Sequence, residues 1–91
     1  MARFELRSRH SVAKDLRGVP AADVRRILER IEALRDNPRP EGSERLAGQT
    51  LWRIRQGRYR VVYSIDDLHV VVEVIRIGHR REIHRLSDTH L

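Results

Sequence analysis

The sequence contains no cysteine and a single lysine, and only four of its 91 residues are aromatic: Phe4, Trp52, Tyr59 and Tyr63. Without cysteine there is no disulfide, no thiolate nucleophile and no cysteine-ligated zinc. Long hydrophobic runs are missing as well. The stretch from Val70 to Val74 is already interrupted at Glu73, far short of the roughly 20 apolar residues of a membrane-spanning helix. The first residues, Met1-Ala2-Arg3-Phe4-Glu5, lack the apolar core of a signal peptide, so a cytoplasmic protein without membrane contact is expected. No internal repeat and no low-complexity segment is present.

What remains is a folded composition, with 40% hydrophobic and 35% charged residues and ample Val, Ile and Leu. A chain of this length supports one modest core, so residues 1–91 are expected to form a single domain. The charge is lopsided: 19 basic against 13 acidic residues give +6, and every basic residue except Lys14 is Arg. A planar guanidinium binds two phosphate oxygens at once, and a basic balance in a small domain points to nucleic acid or to an acidic protein partner.

Patterning divides the chain into a helical first part and a sheet-forming second part. Phe4 and Leu6 alternate with charged neighbours, as in a short strand. His10 to Arg17 has Val12 and Leu16 one turn apart, with Gly18 to stop the helix. Pro20 suits the first turn of a second helix. There Val24, Ile27, Leu28, Ile31 and Leu34 form one apolar stripe, opposed by Arg25, Arg26, Glu29, Arg30 and Glu32. Residues 37–42, rich in Pro and Gly, end that helix. Leu51 to Arg55 alternates at period two, Gln56-Gly57-Arg58 is a tight connection, and Tyr59 to Ile65 alternates again. Asp66-Asp67 marks a turn. His69 to Ile77, nearly all β-branched, is expected to be a central strand covered on both faces and broken by Gly78. His79 to Leu86 fits either a short helix or an extended tail. The expected fold is α+β: two N-terminal helices packed on an antiparallel sheet of about four strands.

The candidate chemistry lies on those strands. A period of two puts Trp52 and Ile54 on one face and Arg53 and Arg55 on the other. Arg58 and Arg60 follow, so residues 53–60 hold four Arg and no acid. A second group, Arg76, His79, Arg80, Arg81, His84 and Arg85, brackets the end of the last strand. In an antiparallel meander the two groups are expected to converge. Clustered guanidiniums repel unless an anion offsets them, and RNA is the natural polyanion. The same Arg set can neutralise a phosphorane-like transition state, while a side chain such as His84, with an ordinary pKa near ~6.5, moves protons. No cofactor is called for. No compact carboxylate cluster suits Mg²⁺, and His79 and His84, five apart, are poorly spaced for zinc on a helix. The alternatives are plainer: the Arg pairs as a solvated strand face, Trp52 as a core or rim residue, Tyr59 and Tyr63 as core packing, and His10, His69 and His90 as surface residues.

Taken in order, Leu46-Ala47-Gly48, then Trp52-Arg53-Ile54-Arg55-Gln56-Gly57-Arg58-Tyr59-Arg60-Val61-Val62-Tyr63, then Ile77-Gly78-His79-Arg80-Arg81-Glu82-Ile83-His84-Arg85 resemble the RelE/ParE toxin superfamily. Lys14-Asp15-Leu16-Arg17 and Asn37-Pro38-Arg39-Pro40 match too. No single piece is specific; the ordered set is. The resemblance implies the toxin of a type II toxin–antitoxin pair, neutralised by an antitoxin with an acidic or amphipathic segment and bound to operator DNA only as the toxin–antitoxin complex. In the RelE branch it implies metal-independent cleavage of mRNA on the ribosome by 2′-hydroxyl attack. In the ParE branch it implies inhibition of DNA gyrase without nuclease residues. A degenerate member that only binds its antitoxin is the third possibility.

Carried over by position, the resemblance implies catalytic roles for Arg53, Arg55, Arg60 and Arg80. His84 stands where the family often has Tyr and is expected to be the general acid or base. Arg58, Arg76, His79, Arg81 and Arg85 would bind RNA. Arginine stays protonated, so none of the Arg residues can be a conventional base.

Overall fold

In a computed structural model, which describes residues 3–46 and 50–79, the chain forms β1 (Glu5–Ser8), α1 (His10–Leu16), α2 (Ala21–Ala33), β2 (Glu44–Arg45), β3 (Leu51–Gln56), β4 (Tyr59–Asp66) and β5 (Val71–His79). The strands make one sheet in the order β1-β5-β4-β3-β2. The α+β expectation of two N-terminal helices on a mainly antiparallel sheet holds. The sheet has five strands rather than about four, and its β1–β5 pair is parallel. The additional strand, β2, is two residues long, too short to leave a period in the sequence.

The core follows the apolar alternation. Ile54 on β3, Val61 and Tyr63 on β4, and Val72, Val74 and Ile77 on β5 share the face that meets Val12 of α1 and Ile27, Ile31 and Leu34 of α2. Ile27, Val61, Tyr63 and Val72 are fully buried. Leu28, placed on the same stripe by sequence, lies on its flank and is 48% exposed. Asp15 of α1 accepts the Ile77 N–H at 3.0 Å. The β1 pairing ends at Val74, so this carboxylate satisfies a donor that the ladder leaves open.

Tyr63 fastens the loop after α2. Its hydroxyl donates to the Pro38 carbonyl at 2.7 Å, and burial pushes the phenol up to about 12. Tyr63 is thus a structural residue, in keeping with the core reading of its alternation. Trp52 packs partly buried against the same core. Arg39 lies over its ring at 5.2 Å while forking onto Asp67 at 2.7 and 3.2 Å.

Three expectations for the last strand need correction. It begins at Val71, not His69, because Asp66 takes the His69 N–H at 3.0 Å and its ring Nδ1 at 2.8 Å, closing a turn. Val70 then adopts φ 58°, an unusual conformation for a β-branched residue. Gly78 does not break the strand: pairing to β4 continues through Arg60↔Gly78 to Tyr59↔His79. Nor is this strand, which lies inside the sheet between β1 and β4, covered on both faces. β4 holds the middle position, and β5 buries Val72, Val74 and Ile77 on one face while Glu73 and Arg76 lie on the other.

Candidate functional site

The two strands that carry most of the candidate residues are joined by a two-residue loop, Gly57-Arg58, between the paired Gln56 and Tyr59. Gly57 has φ +61° and Arg58 does not share that sign, the pattern of a hairpin turn with Gly at its first central position. So short a loop fixes the register. Arg55 lies directly opposite Arg60, and Arg53 opposite Val62. On the next strand Val62 faces Arg76. Cross-strand partners share a face, so Arg53, Arg55, Arg60 and Arg76 all lie on the face away from the helices.

This patch has a feature the sequence did not suggest. β2 places Glu44 beside Arg53, and the Arg53 guanidinium donates to its carboxylate at 2.9 Å. That hydrogen bond and charge hold the Glu44 carboxyl below its ordinary value, and Arg55 and Arg60 add to the effect. One carboxylate therefore feels three of the arginines, an electrostatic confirmation of their convergence. Residues 53–60 themselves contain no acid; the carboxylate comes from β2, outside that stretch. Only Glu44 itself in Ser43-Glu44-Arg45-Leu46 could have hinted at this, and a lone acid gives no pattern to read.

Arg53 and Arg60 are half-buried, whereas Arg55 and Arg76 are exposed. The Arg53 side chain is 21% exposed, and its Nε is buried without a hydrogen-bond partner. An unsatisfied buried donor costs about 1–3 kcal/mol; Arg30 and Arg35 hold buried Nε groups of the same kind, so this feature is not peculiar to the patch. Val62, between Arg53 and Arg76, is 2% exposed, an apolar floor within a charged face. Opposed like charges at Arg55 and Arg60 destabilise a sheet, so folding alone gives no reason for them.

The remaining candidates divide. Arg58 is exposed at the hairpin tip, adjoining the patch. His79 pairs with Tyr59 on the helix side of the sheet, its ring edge-on to the tyrosine at 6.0 Å. It does not share the Arg face, so convergence does not extend to it. Arg80, Arg81, His84 and Arg85 lie outside the described residues. Among the described residues, no group of three or more His, Asp or Glu side chains is arranged to hold a metal ion, and no helix is long and apolar enough to cross a membrane.

Comparison with known proteins gives this arrangement a context. Residues 6–84 match the family model described as ParE toxin of the type II toxin–antitoxin system parDE. A putative toxin RelE1 of Methanocaldococcus jannaschii is 32% identical over 79 residues, covering 80% of this chain and 88% of that protein. Toxin RelE of Mycobacterium tuberculosis is 38% identical over 77 residues, covering 74% and 79% respectively. Among solved structures, the archaeal RelE–RelB complex of Pyrococcus horikoshii superposes with a TM-score of 0.77 at 30% identity, covering 86% of this chain and 96% of the matched one. The match along almost the whole chain, in both sequence and fold, shows that this protein belongs to the RelE/ParE superfamily of type II toxin–antitoxin toxins.

Proposed function

We propose that the protein is a metal-independent endoribonuclease that cleaves mRNA on the ribosome and so inhibits translation. The observation that carries this reading is the convergence of Arg53, Arg55, Arg60 and Arg76 on one sheet face, with Glu44 ion-paired among them. In this reading the RNA 2′-hydroxyl oxygen attacks the adjacent phosphorus, and the bond from phosphorus to the 5′-oxygen breaks. The products are a 2′,3′-cyclic phosphate and a 5′-hydroxyl. Arg53, Arg55 and Arg60, joined by Arg80, hold the phosphate and neutralise charge as it builds up. Arg58, Arg76, Arg81 and Arg85 bind the flanking backbone; His79, on the other face, is left out of this set.

Two protons must move. His84, with an ordinary value near ~6.5, donates to the departing 5′-oxygen. Glu44 accepts the 2′-hydroxyl proton. Its lowered pKa keeps it ionised near neutrality, which makes it available but weak as a base, so the arginines must also stabilise the oxyanion.

The protein's partner in this reading is an antitoxin, the structural relatives including a RelE–RelB complex; the charge of the Arg face calls for an acidic segment to cover it. Association should slow as salt rises, because a +6 protein attracts an acidic chain at long range. Operator DNA would be bound only by the toxin–antitoxin complex.

The test is primer extension on total RNA after a short pulse of expression without antitoxin, comparing wild type with Arg60→Ala. New ends confined to translated codons, and absent from the variant, support the nuclease. A second reading, inhibition of DNA gyrase, draws on the match to the ParE toxin model. It predicts arrested growth with intact mRNA, lost supercoiling activity and little effect of Arg60→Ala.

A further inference from the structure

The open face that carries the Arg patch reverses its charge along the strands. Register sorts its residues into four rows. Nearest the hairpin are Arg55, Arg60 and Gly78, followed by Glu44, Arg53, Val62 and Arg76. The third row is Leu51, Ser64, Glu73 and Arg7, and the fourth Asp66, Val71 and Glu5. The first two rows hold four Arg and one acid, a sum of +3. The last two hold Glu5, Asp66 and Glu73 against Arg7, a sum of −2. The acidic end is also hollow: Glu5, Arg7, Ser64, Asp66, His69, Val71 and Glu73 line a cleft of about 500 Å³.

Its cations pair first with other acids, and Glu73 is left with the charge of Arg7, its cross-strand neighbour. Arg7 is paired with Glu5 at 2.6 Å, and His69 with Asp66 at 2.8 Å. Among the described residues no side-chain hydrogen bond engages Glu73, which lines the cleft. Rows are about 6.6 Å apart, two residues of strand rise, so Glu73 stands roughly one Debye length from the Arg53–Arg76 row at physiological salt. A phosphate bound at the Arg rows thus feels the acidic rows only partly screened, while one placed over the cleft would face a net negative wall.

We infer that the acidic rows centred on Glu73 fence the RNA backbone, confining it to a path across the hairpin end of the sheet and limiting how many phosphates this face can grip. This inference rests on the nuclease reading of the Arg patch. Phosphates enter over Arg53 and Arg55, cross Arg60 and leave by Arg76, transverse to the strands. The chain cannot turn along the strands toward Glu73 and Asp66. Affinity therefore stops growing once an oligonucleotide is long enough to fill the Arg rows.

The test is fluorescence anisotropy with 2′-O-methyl RNA, which cannot be cleaved, in a ladder of lengths from dinucleotide to dodecamer at several salt concentrations. Wild type, Glu73→Gln, Glu73→Lys and Arg53→Ala/Arg55→Ala are compared. Wild-type affinity should reach a plateau at short length. Glu73→Lys should move that plateau to longer oligonucleotides, tighten binding of the longest by roughly threefold to tenfold, and steepen the salt slope by about 0.7 for each added phosphate contact. Glu73→Gln, nearly isosteric, should act in the same direction more weakly, which separates the effect from misfolding. If wild type binds more tightly than the Arg double variant and shows the plateau, but the Glu73 variants change neither length dependence nor slope, the fence is wrong and the nuclease reading stands. Wild-type affinity that climbs steadily with length overturns the fence too. If wild type binds no better than the Arg double variant at any length, the reading of the Arg patch fails and the inference falls with it.

Discussion

The two faces of the sheet obey the same alternation and have opposite consequences. On the helix side, Ile54, Val61, Tyr63, Val72, Val74 and Ile77 lock against α1 and α2, and the Tyr63 hydroxyl and the Ile77 N–H both find partners. On the other side, Arg55 faces Arg60, and the buried Nε of Arg53 has no partner. One face stabilises the fold and the other taxes it. Where a sheet sets like charges opposite each other on one face, as Arg55 and Arg60 are here, that face has another task. Here the charges suit a phosphate backbone.

The comparison is most easily broken from the covered side. Ile27→Ala removes a fully buried side chain at the contact between α2 and the sheet, and should cost about 2–5 kcal/mol in denaturant unfolding. A much smaller loss would mean that α2 is not part of the cooperative core. Tyr63→Phe should cost less, about 1–3 kcal/mol, by orphaning the Pro38 carbonyl. It also gives a pH signature. Burial raises the phenol's pKa from 10 to about 12, so the folded state holds its proton more tightly than the unfolded one. The stability this contributes is complete below pH 10 and is lost as pH rises through about 12. Tyr63→Phe should flatten that alkaline decline, as stopped-flow unfolding at a series of pH values would reveal.

On the acidic side the sign reverses. The N–H and ring of His69 hold Asp66 low, Arg39 holds Asp67 low, and Arg53 holds Glu44 low. Their contribution is present above the ordinary carboxylate range and disappears as pH falls through the lowered values. Asp66→Asn should therefore blunt the acid sensitivity of thermal unfolding and loosen the turn that leads to Val70. The smallest effect is expected at Arg7 and Glu5, both exposed: removing this pair should leave the unfolding midpoint where it was. A clear drop there would show that the acidic cleft is braced rather than solvated.

Legibility in the sequence followed the same division. The covered face was readable because burial imposes a period: Val24 to Leu34 announced α2, and the alternation in β3 and β4 announced the hairpin. The Arg face was readable as well, since a two-residue Gly57-Arg58 loop leaves little freedom of register. Contributions from short or locally irregular segments were not readable. Two residues of β2 bring Glu44 into the patch without any periodic signal. The Asp66 side chain captures His69 and delays β5. His79 resembled its basic neighbours in sequence, but strand parity sends it to the other face, against Tyr59. Charge runs count residues without regard to parity, and one step along a strand changes the face.

The most direct test of the central claim uses Arg55→Ala/Arg76→Ala, which strips two charges from the open face and leaves the core untouched. Unfolding free energy and mRNA cleavage on translating ribosomes would be measured on the same preparation. The account predicts stability within about 0.5 kcal/mol of wild type, or slightly above it, as for surface changes in general. It predicts cleavage reduced by about a hundredfold or more, as when a charge-stabilising donor is removed. Unchanged cleavage, or a loss that merely tracks a fall in stability, would contradict it.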